Sequence, residues 1–355
     1  MELHGKKTGM RNLKFKLGAI ALINASLFGC GGGGGGNDSV TAGTGGASSA
    51  GTSGSSYSAI SQANYETVAA TVLSPISELT DLNSATSLIA SGVELDAPAL
   101  SLASASARIY KRFGGKGAQL VTGATYTEAC SRGGSVTVDA SVADDSKVTP
   151  GDRLIINANN CVEDDLPSLN GTLSLTINSV TGDPVNTDRY SLAFTTNFSN
   201  MALTSGTQRV LIDGDMTIAA SQNGSSAISV GLSGSRLGMS IVQSGTAANT
   251  YTLADFNLSG TETGSTTTLA GNYTLSGTSA KLGAYAYRVQ TVRPIVVSGS
   301  GSSVSAGSVL ITGSPATVTA TALDGTTMRL EYSANGDGVI TATSSLTRAQ
   351  FDALN

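Results

Sequence analysis

The sequence predicts a mainly β chain, built as an antiparallel curved sheet, sandwich or incomplete barrel with helices near its N-terminus. Three observations lead there. Of 355 residues 44 are Gly, none is Trp and only 13% are charged, while Ser and Thr are abundant. That composition suits strands and turns rather than packed helices. From Gln119 onward apolar and polar residues alternate with period two, and Asn-Gly and Asp-Gly pairs punctuate the alternating runs. A parallel β-solenoid is the alternative architecture, because Gly-, Ser-, Thr- and Asn-rich chains also build those; alternation with hairpin dipeptides speaks against it.

In chain order, Lys6, Lys7, Arg11, Lys14 and Lys16 precede a short apolar stretch from Leu17 to Gly29, broken only by Asn24 and Ser26. This is the layout of a secretory signal. It is shorter than the roughly 20 residues a membrane-crossing helix needs. The stretch closes on Leu27-Phe28-Gly29-Cys30, which resembles the lipobox of bacterial lipoproteins, with Phe28 bulkier than the residue usual there. The resemblance implies cleavage before Cys30, a diacylglycerol on its sulfur and an acyl chain of the palmitate kind on the new amino group. Several acyl chains anchor stably where one would be reversible. Gly31 rather than Asp follows the Cys, which in that family implies the outer membrane, with the body facing the periplasm or the cell surface. Met10 to Gly29 is a complete signal by itself, so Met1 and Met10 are both candidate starts. The general look is similar to that of β-rich bacterial envelope lipoproteins with a glycine run, and no closer family is evident.

The expected organisation is a signal peptide over 1–29, the lipidated Cys with a Gly/Ser-rich tether over 30–57, a helical segment over 58–114 and a β-rich domain over 115–355. Gly31 to Gly36 is an unbroken glycine run continued by Ser, Thr, Ala and Gly, a composition that behaves as a flexible coil. No Lys-Ser/Thr follows the glycines, so a phosphate-cradling loop is excluded. In the helical segment Tyr65, Val68, Ala69, Val72, Ile76 and Leu79 recur at helical spacing. Ser74-Pro75 reads as the start of a second helix, and a further helix is expected from Asp96-Ala-Pro98 to Arg112-Phe113.

In the β region Val136, Val138, Ala140 and Val142 alternate with polar residues, as do Leu173, Leu175 and Ile177; Leu192, Phe194 and Phe198 follow the same rule. Each set is expected on a buried strand face. Hairpin turns are expected at Asn170-Gly171, Asp213-Gly214, Asn223-Gly224, Asp324-Gly325, Asn335-Gly336 and Asp337-Gly338. An apolar-x-Gly phrase ending at Gly171, Gly214, Gly271 and Gly313 hints at an internal duplication.

With Cys30 lipidated, Cys130 and Cys161 remain as a pair in an exported chain, and a disulfide is expected between them. The only histidine, His4, lies in the leader, so Ser-His-Asp and Cys-His catalysis and His-ligated metal sites are excluded from the mature chain. Its removal with residues 1–29 takes five Lys/Arg and Glu2, which moves the net charge from −5 to −9. An acidic chain is a poor partner for nucleic acid. Carboxylates cluster at Asp144-Asp145, Glu163-Asp164-Asp165 and Asp213/Asp215, and a pair of them could act on a glycoside only if brought across a cleft. Asn335 and Asp337 in Ser333-Ala-Asn-Gly-Asp-Gly338 are weak calcium candidates, with Asp164 and Asp165 as another; the loop resembles the start of an EF-hand but has Ser344 where the bidentate Glu is required. Tyr285, Tyr287 and Arg288 are weak ligand-binding candidates.

No catalytic residue and no cofactor beyond the covalent lipid is expected. The expectation for function is a lipid-anchored envelope protein, held to the membrane by its lipid, with a non-enzymatic structural or binding role toward a protein or glycan. The alternatives are a glycan-active enzyme using Asp/Glu pairs and an apolar-ligand carrier with a half-closed β-barrel.

Overall fold

The computed structural model describes residues 57–77, 124–143, 149–163, 166–182, 187, 189–205, 208–224, 227–243, 249–298 and 304–354. The segment expected as a leader with its lipobox-like end, residues 31–56, the helix expected at 96–113, and Asp144, Asp145, Asp164 and Asp165 lie outside them.

Chain order begins with a cap. The Ser61 N–H donates to Asn64 Oδ1 (2.8 Å), and the Tyr65 N–H donates to the Ser61 carbonyl (3.0 Å). Helix α1 (Tyr65–Ser77) follows, and Tyr65, Val68, Ala69 and Val72 of the expected stripe are buried. Pro75 does not begin a second helix as expected; it lies inside α1, which continues to Ser77. A proline near a helix end removes one backbone bond, and the buried Val72 and Leu73 just before it hold that turn against the sheet.

Among the described residues the β region forms one sheet of fourteen strands in sequence order. They are β1 (Ala124–Ala129), β2 (Gly133–Ser141), β3 (Arg153–Glu163), β4 (Leu166–Gly182), β5 (Arg189–Ser205), β6 (Gln208–Asn223), β7 (Ile228–Gln243), β8 (Asn249–Thr263), β9 (Thr266–Ser279), β10 (Gly283–Ser298), β11 (Val304–Thr312), β12 (Thr317–Ala322), β13 (Thr327–Ser333) and β14 (Ala342–Thr347). Every neighbouring pair is antiparallel, so the solenoid alternative falls. β1 and β14 do not pair with each other, which leaves an open curved sheet rather than a closed barrel or a two-sheet sandwich.

Alternation decides which face is inside. Val136, Val138 and Ala140 of β2, Leu173, Leu175 and Ile177 of β4 and Leu192, Phe194 and Phe198 of β5 all lie on the buried face. Helix α1 packs against β12 and β13, where Tyr65 stacks on Tyr332 with ring centroids 5.5 Å apart. The Tyr273 hydroxyl donates to the Val72 carbonyl (3.3 Å), and the Tyr332 hydroxyl donates to the Ile60 carbonyl (3.3 Å), which ties α1 and its lead-in to β9 and β13. A last short helix, α2 (Arg348–Ala353), packs beside β14 with Phe351 buried.

Asn170-Gly171 and Asp213-Gly214 are not hairpin turns. They lie inside β4 and β6, which run on for 17 and 16 residues, and each marks a β-bulge. Gly171 and Gly214 have φ of 111° and 126°, and a Cβ there would overlap the carbonyls of Asn200 and Arg236 on the next strands. Positive φ serves a bulge as well as a turn. Further register shifts lie between β2 and β3, β5 and β6, β8 and β9, and β10 and β11, so a band of bulges bends the long strands. The other four dipeptides sit in turns as expected: Gly224, Gly336 and Gly338 have positive φ, and Asp324-Gly325 joins β12 to β13.

Cys130 and Cys161 are joined by a disulfide, Cα to Cα 5.4 Å, that ties the β1–β2 turn to β3. A second clamp is Asp152, which is buried. Its carboxylate accepts from the Ala143 N–H (2.9 Å), the Thr149 N–H (2.8 Å) and the Thr149 hydroxyl (2.7 Å). Asp152→Ala strands these donors and is expected to cost about 2 kcal/mol, seen as a lower urea midpoint with an unchanged m-value.

Candidate functional site

The long strands place two kinds of chemistry on opposite sides of one sheet. Inside lie the aliphatic and aromatic side chains. Outside, register aligns short hydroxyl and amide residues into rows that run across the strands, since directly paired residues of antiparallel strands share a face. Arg153, Thr176, Thr195, Thr217, Ser233, Asn257, Asn272 and Gln290 are successive partners from β3 to β10, and each is exposed or half-buried. At one strand spacing per step this row spans roughly 34 Å. Thr127, Thr137, Asn157, Thr172 and Ser199 form a second row from β1 to β5, and Thr181, Ser191, Ser221, Ser229, Thr261 and Thr268 a third from β4 to β9.

Neighbours in these rows bond to one another. Thr172 donates to Asn157 Oδ1 (2.7 Å), Thr195 and Thr217 share a hydroxyl bond (2.9 Å), and Thr127 and Thr137 another (3.0 Å). Asn178 Nδ2 also donates to Thr195 Oγ1 (2.8 Å). Such pairing orients the hydroxyls in advance, and a hydroxyl that donates to its neighbour still offers lone pairs to a ligand. The polarity is the reverse of a transmembrane barrel, whose outward strand residues must be apolar. Among the described residues no helix is long and apolar enough to cross a membrane.

Other residues singled out from the sequence fall elsewhere. Asp213 is exposed on β6, and Asp215 accepts at both carboxylate oxygens from Ser235, from its hydroxyl (2.6 Å) and its N–H (3.1 Å), so it pins the bulge between β6 and β7. Glu163 ends β3. Tyr285 and Tyr287 are buried on the inner face and stack with ring centroids 6.0 Å apart, while Arg288 is on the exposed face. Asn335 and Asp337 sit in the β13–β14 turn, where Asp337 Oδ1 accepts from the Val339 N–H (3.0 Å) and the Ser333 hydroxyl (3.1 Å). Those bonds, the Val339 N–H foremost, hold the Asp337 carboxyl below its usual range. Among the described residues no three His, Cys, Asp or Glu come together as a metal cluster.

The inner tyrosines titrate with the fold. Burial, with the neighbouring Tyr287 adding to it, pushes Tyr285 up to about 12, and burial raises Tyr190, Tyr273 and Tyr287 as well. A raised acid favours the folded state below its unfolded value and loses that contribution as pH rises. The fold is therefore expected to weaken from about pH 10 upward, with Tyr285 ionising near 12. An absorbance titration of tyrosinate, free of Trp overlap in this chain, checks it: Tyr285→Phe should remove amplitude from the late step only.

The rows were the part that sequence reasoning missed. Alternation marks each polar residue as outward, but which outward residues stand side by side depends on the register of strands up to 17 residues long and on the bulges within them. No family model, no curated protein and no solved structure matches this chain.

Proposed function

We propose that the chain is a lipid-anchored, non-enzymatic binding module of the bacterial cell envelope, and that its outer sheet face engages an extended polyhydroxyl glycan. The row from Arg153 to Gln290 carries this reading, because it offers a line of side-chain hydrogen-bond donors and acceptors over roughly 34 Å, the length of several sugar units. Each hydrogen bond to such a ligand adds little alone, about 1 kcal/mol, so affinity has to come from many in series. A long row meets that need where a compact pocket would not. The lipobox resemblance at Cys30 supplies the anchor and the envelope location.

The test is binding of the purified mature chain to soluble envelope polysaccharides, followed by calorimetry. Wild type is expected to bind at least one, and a Thr195→Val, Thr217→Val, Asn257→Val variant to bind it about tenfold or more weakly while keeping its strand circular dichroism. β-Branched valine keeps the strands and removes the two hydroxyls and the Asn257 amide. Equal binding by the variant, or no binding to any polysaccharide, overturns the reading.

A further inference from the structure

Charge is not spread evenly over the sheet. The chain has a net charge of −5, yet β9, β10, β11 and β12 contain no Asp or Glu, and their only charged residues are Arg288 and Arg293 of β10. Both are exposed. Arg288 pairs in register with Thr312 and Arg293 with Ser308 on β11, so the two stand about 13 Å apart along the strand, on either side of Gln290. The row that begins at Arg153 ends at Gln290. It is therefore uncharged along its middle and cationic at both ends. Arg329 on β13 is already paired to Glu331 (3.4 Å), whereas among the described residues no carboxylate is paired with Arg288 or Arg293.

The path of β10 presents the second of these arginines. From Gln290 to Ile295 it takes five steps where its partner β9, from Asn272 to Leu269, takes three. The extra residues stand out of the sheet: Val292 is 56% exposed, and Arg293 and Pro294 are exposed beside it. Two features suit the chain to this bulge. Thr291 Oγ1 accepts from the Gly271 N–H (3.0 Å), and Pro294 has no N–H that the broken ladder would leave unpaired. Bulges re-aim side chains, and this one sets a guanidinium next to an aliphatic side chain at the end of the polar row.

We infer that the glycan bound along this face is a polyanion, a polysaccharide with repeated carboxylate or sulfate groups, and that Arg288 and Arg293 each seat one of those groups. The inference rests on the glycan reading of the outer face and names the class of its ligand. An arginine fork meets an oxyanion through two parallel hydrogen bonds, which makes it the cation suited to such groups. Two seats about 13 Å apart favour a polymer over a single sugar, because the first contact raises the effective concentration for the second. Asp213, Asp215 and Asp255 lie on β6 and β8, two or more strands and roughly 10 Å from β10, about one screening length in physiological salt. Tyr273, Tyr285 and Tyr287, the aromatic residues of β9 and β10, are all buried on the inner face, so these strands offer no stacking platform for single-stranded nucleic acid.

Calorimetric titration of the purified chain tests this with two polyanions, each beside its neutral counterpart: polygalacturonate with its carboxyl-reduced form, and dextran sulfate with dextran. Wild type is expected to bind one polyanion at least fivefold more tightly than its counterpart, and which one it prefers tells carboxylate from sulfate. The Arg288→Gln, Arg293→Gln variant is expected to lose that preference while its affinity for the neutral polymer and its urea midpoint stay as in wild type. Equal binding of charged and neutral polymers by wild type, or a full preference kept by the variant, overturns the polyanion and leaves the glycan reading standing. Tighter binding of a thymidine oligonucleotide than of either polyanion overturns it in favour of nucleic acid. No binding to any of the four polymers overturns the glycan reading and this inference with it.

Discussion

Gly214→Val is expected to destabilise the fold by on the order of 4 kcal/mol, a large part of the margin by which a domain is folded. Two effects add. At φ 126° a side-chain-bearing residue is strained, and a β-branched one more so. A Cβ there would also overlap the Arg236 carbonyl of β7, which is backbone and cannot swing aside. The bulge cannot be traded for regular pairing either, because Asp213 and Gly214 pair in register with Gly238 and Leu237 on one side while Thr217 pairs with Ser233 on the other, and Asp215 is held to Ser235 between them. Urea unfolding followed by circular dichroism reads the loss. Gly231→Ala is the control: its nearest neighbours would lie at 3.8 Å or beyond, and it is expected to be neutral within about 0.5 kcal/mol. A Gly214→Val protein as stable as wild type would mean that the bend at mid-strand does not depend on this glycine.

Reduction of Cys130–Cys161 is expected to cost about 3.5 kcal/mol on the chain-entropy model, for a sequence separation of 31. The bond has structural reach beyond its loop. β1 is the edge strand, exposed over nearly its whole length and paired only to β2 among the described strands. The disulfide tethers its end to β3, one strand further in. Loosening is therefore expected to begin at β1, and hydrogen exchange in reducing buffer should show Ala124–Ala129 losing protection before the central strands. The Cys130→Ser, Cys161→Ser double variant should match the reduced protein in its urea midpoint. Equal midpoints for oxidised and reduced protein would remove the staple from the account of stability.

Much of the architecture is legible from local pattern. Period two at Val136, Val138 and Ala140 and at Leu173, Leu175 and Ile177 named the buried face correctly, because side-chain direction in a strand depends only on residue parity. The Tyr65–Val72 stripe named the helix for the corresponding reason at period 3.6. The glycine dipeptides were legible only in part. Asn-Gly marks positive φ, and that conformation serves both the turn at Gly224 and the bulge at Gly171. The recurrence of Gly171 and Gly214 gains a geometric cause, since each is the glycine of a long strand, β4 and β6, that stands against a β-bulge of the next strand, where the Asn200 or Arg236 carbonyl leaves no room for a Cβ.

By itself the sequence determined what depends on near neighbours along the chain: a β-rich body, its inward and outward residues, the paired cysteines and an acidic chain whose one histidine is His4. Only the tertiary structure decided that the fourteen described strands form a single open sheet, that Thr195, Thr217, Ser233 and Asn257 stand in one line, and that Gly171 and Gly214 face bulges rather than form turns. These follow from register and strand length, which are long-range properties. A slip of one residue would send every side chain of a strand to the other face, and no local pattern records how many strands lie between two residues that end up side by side.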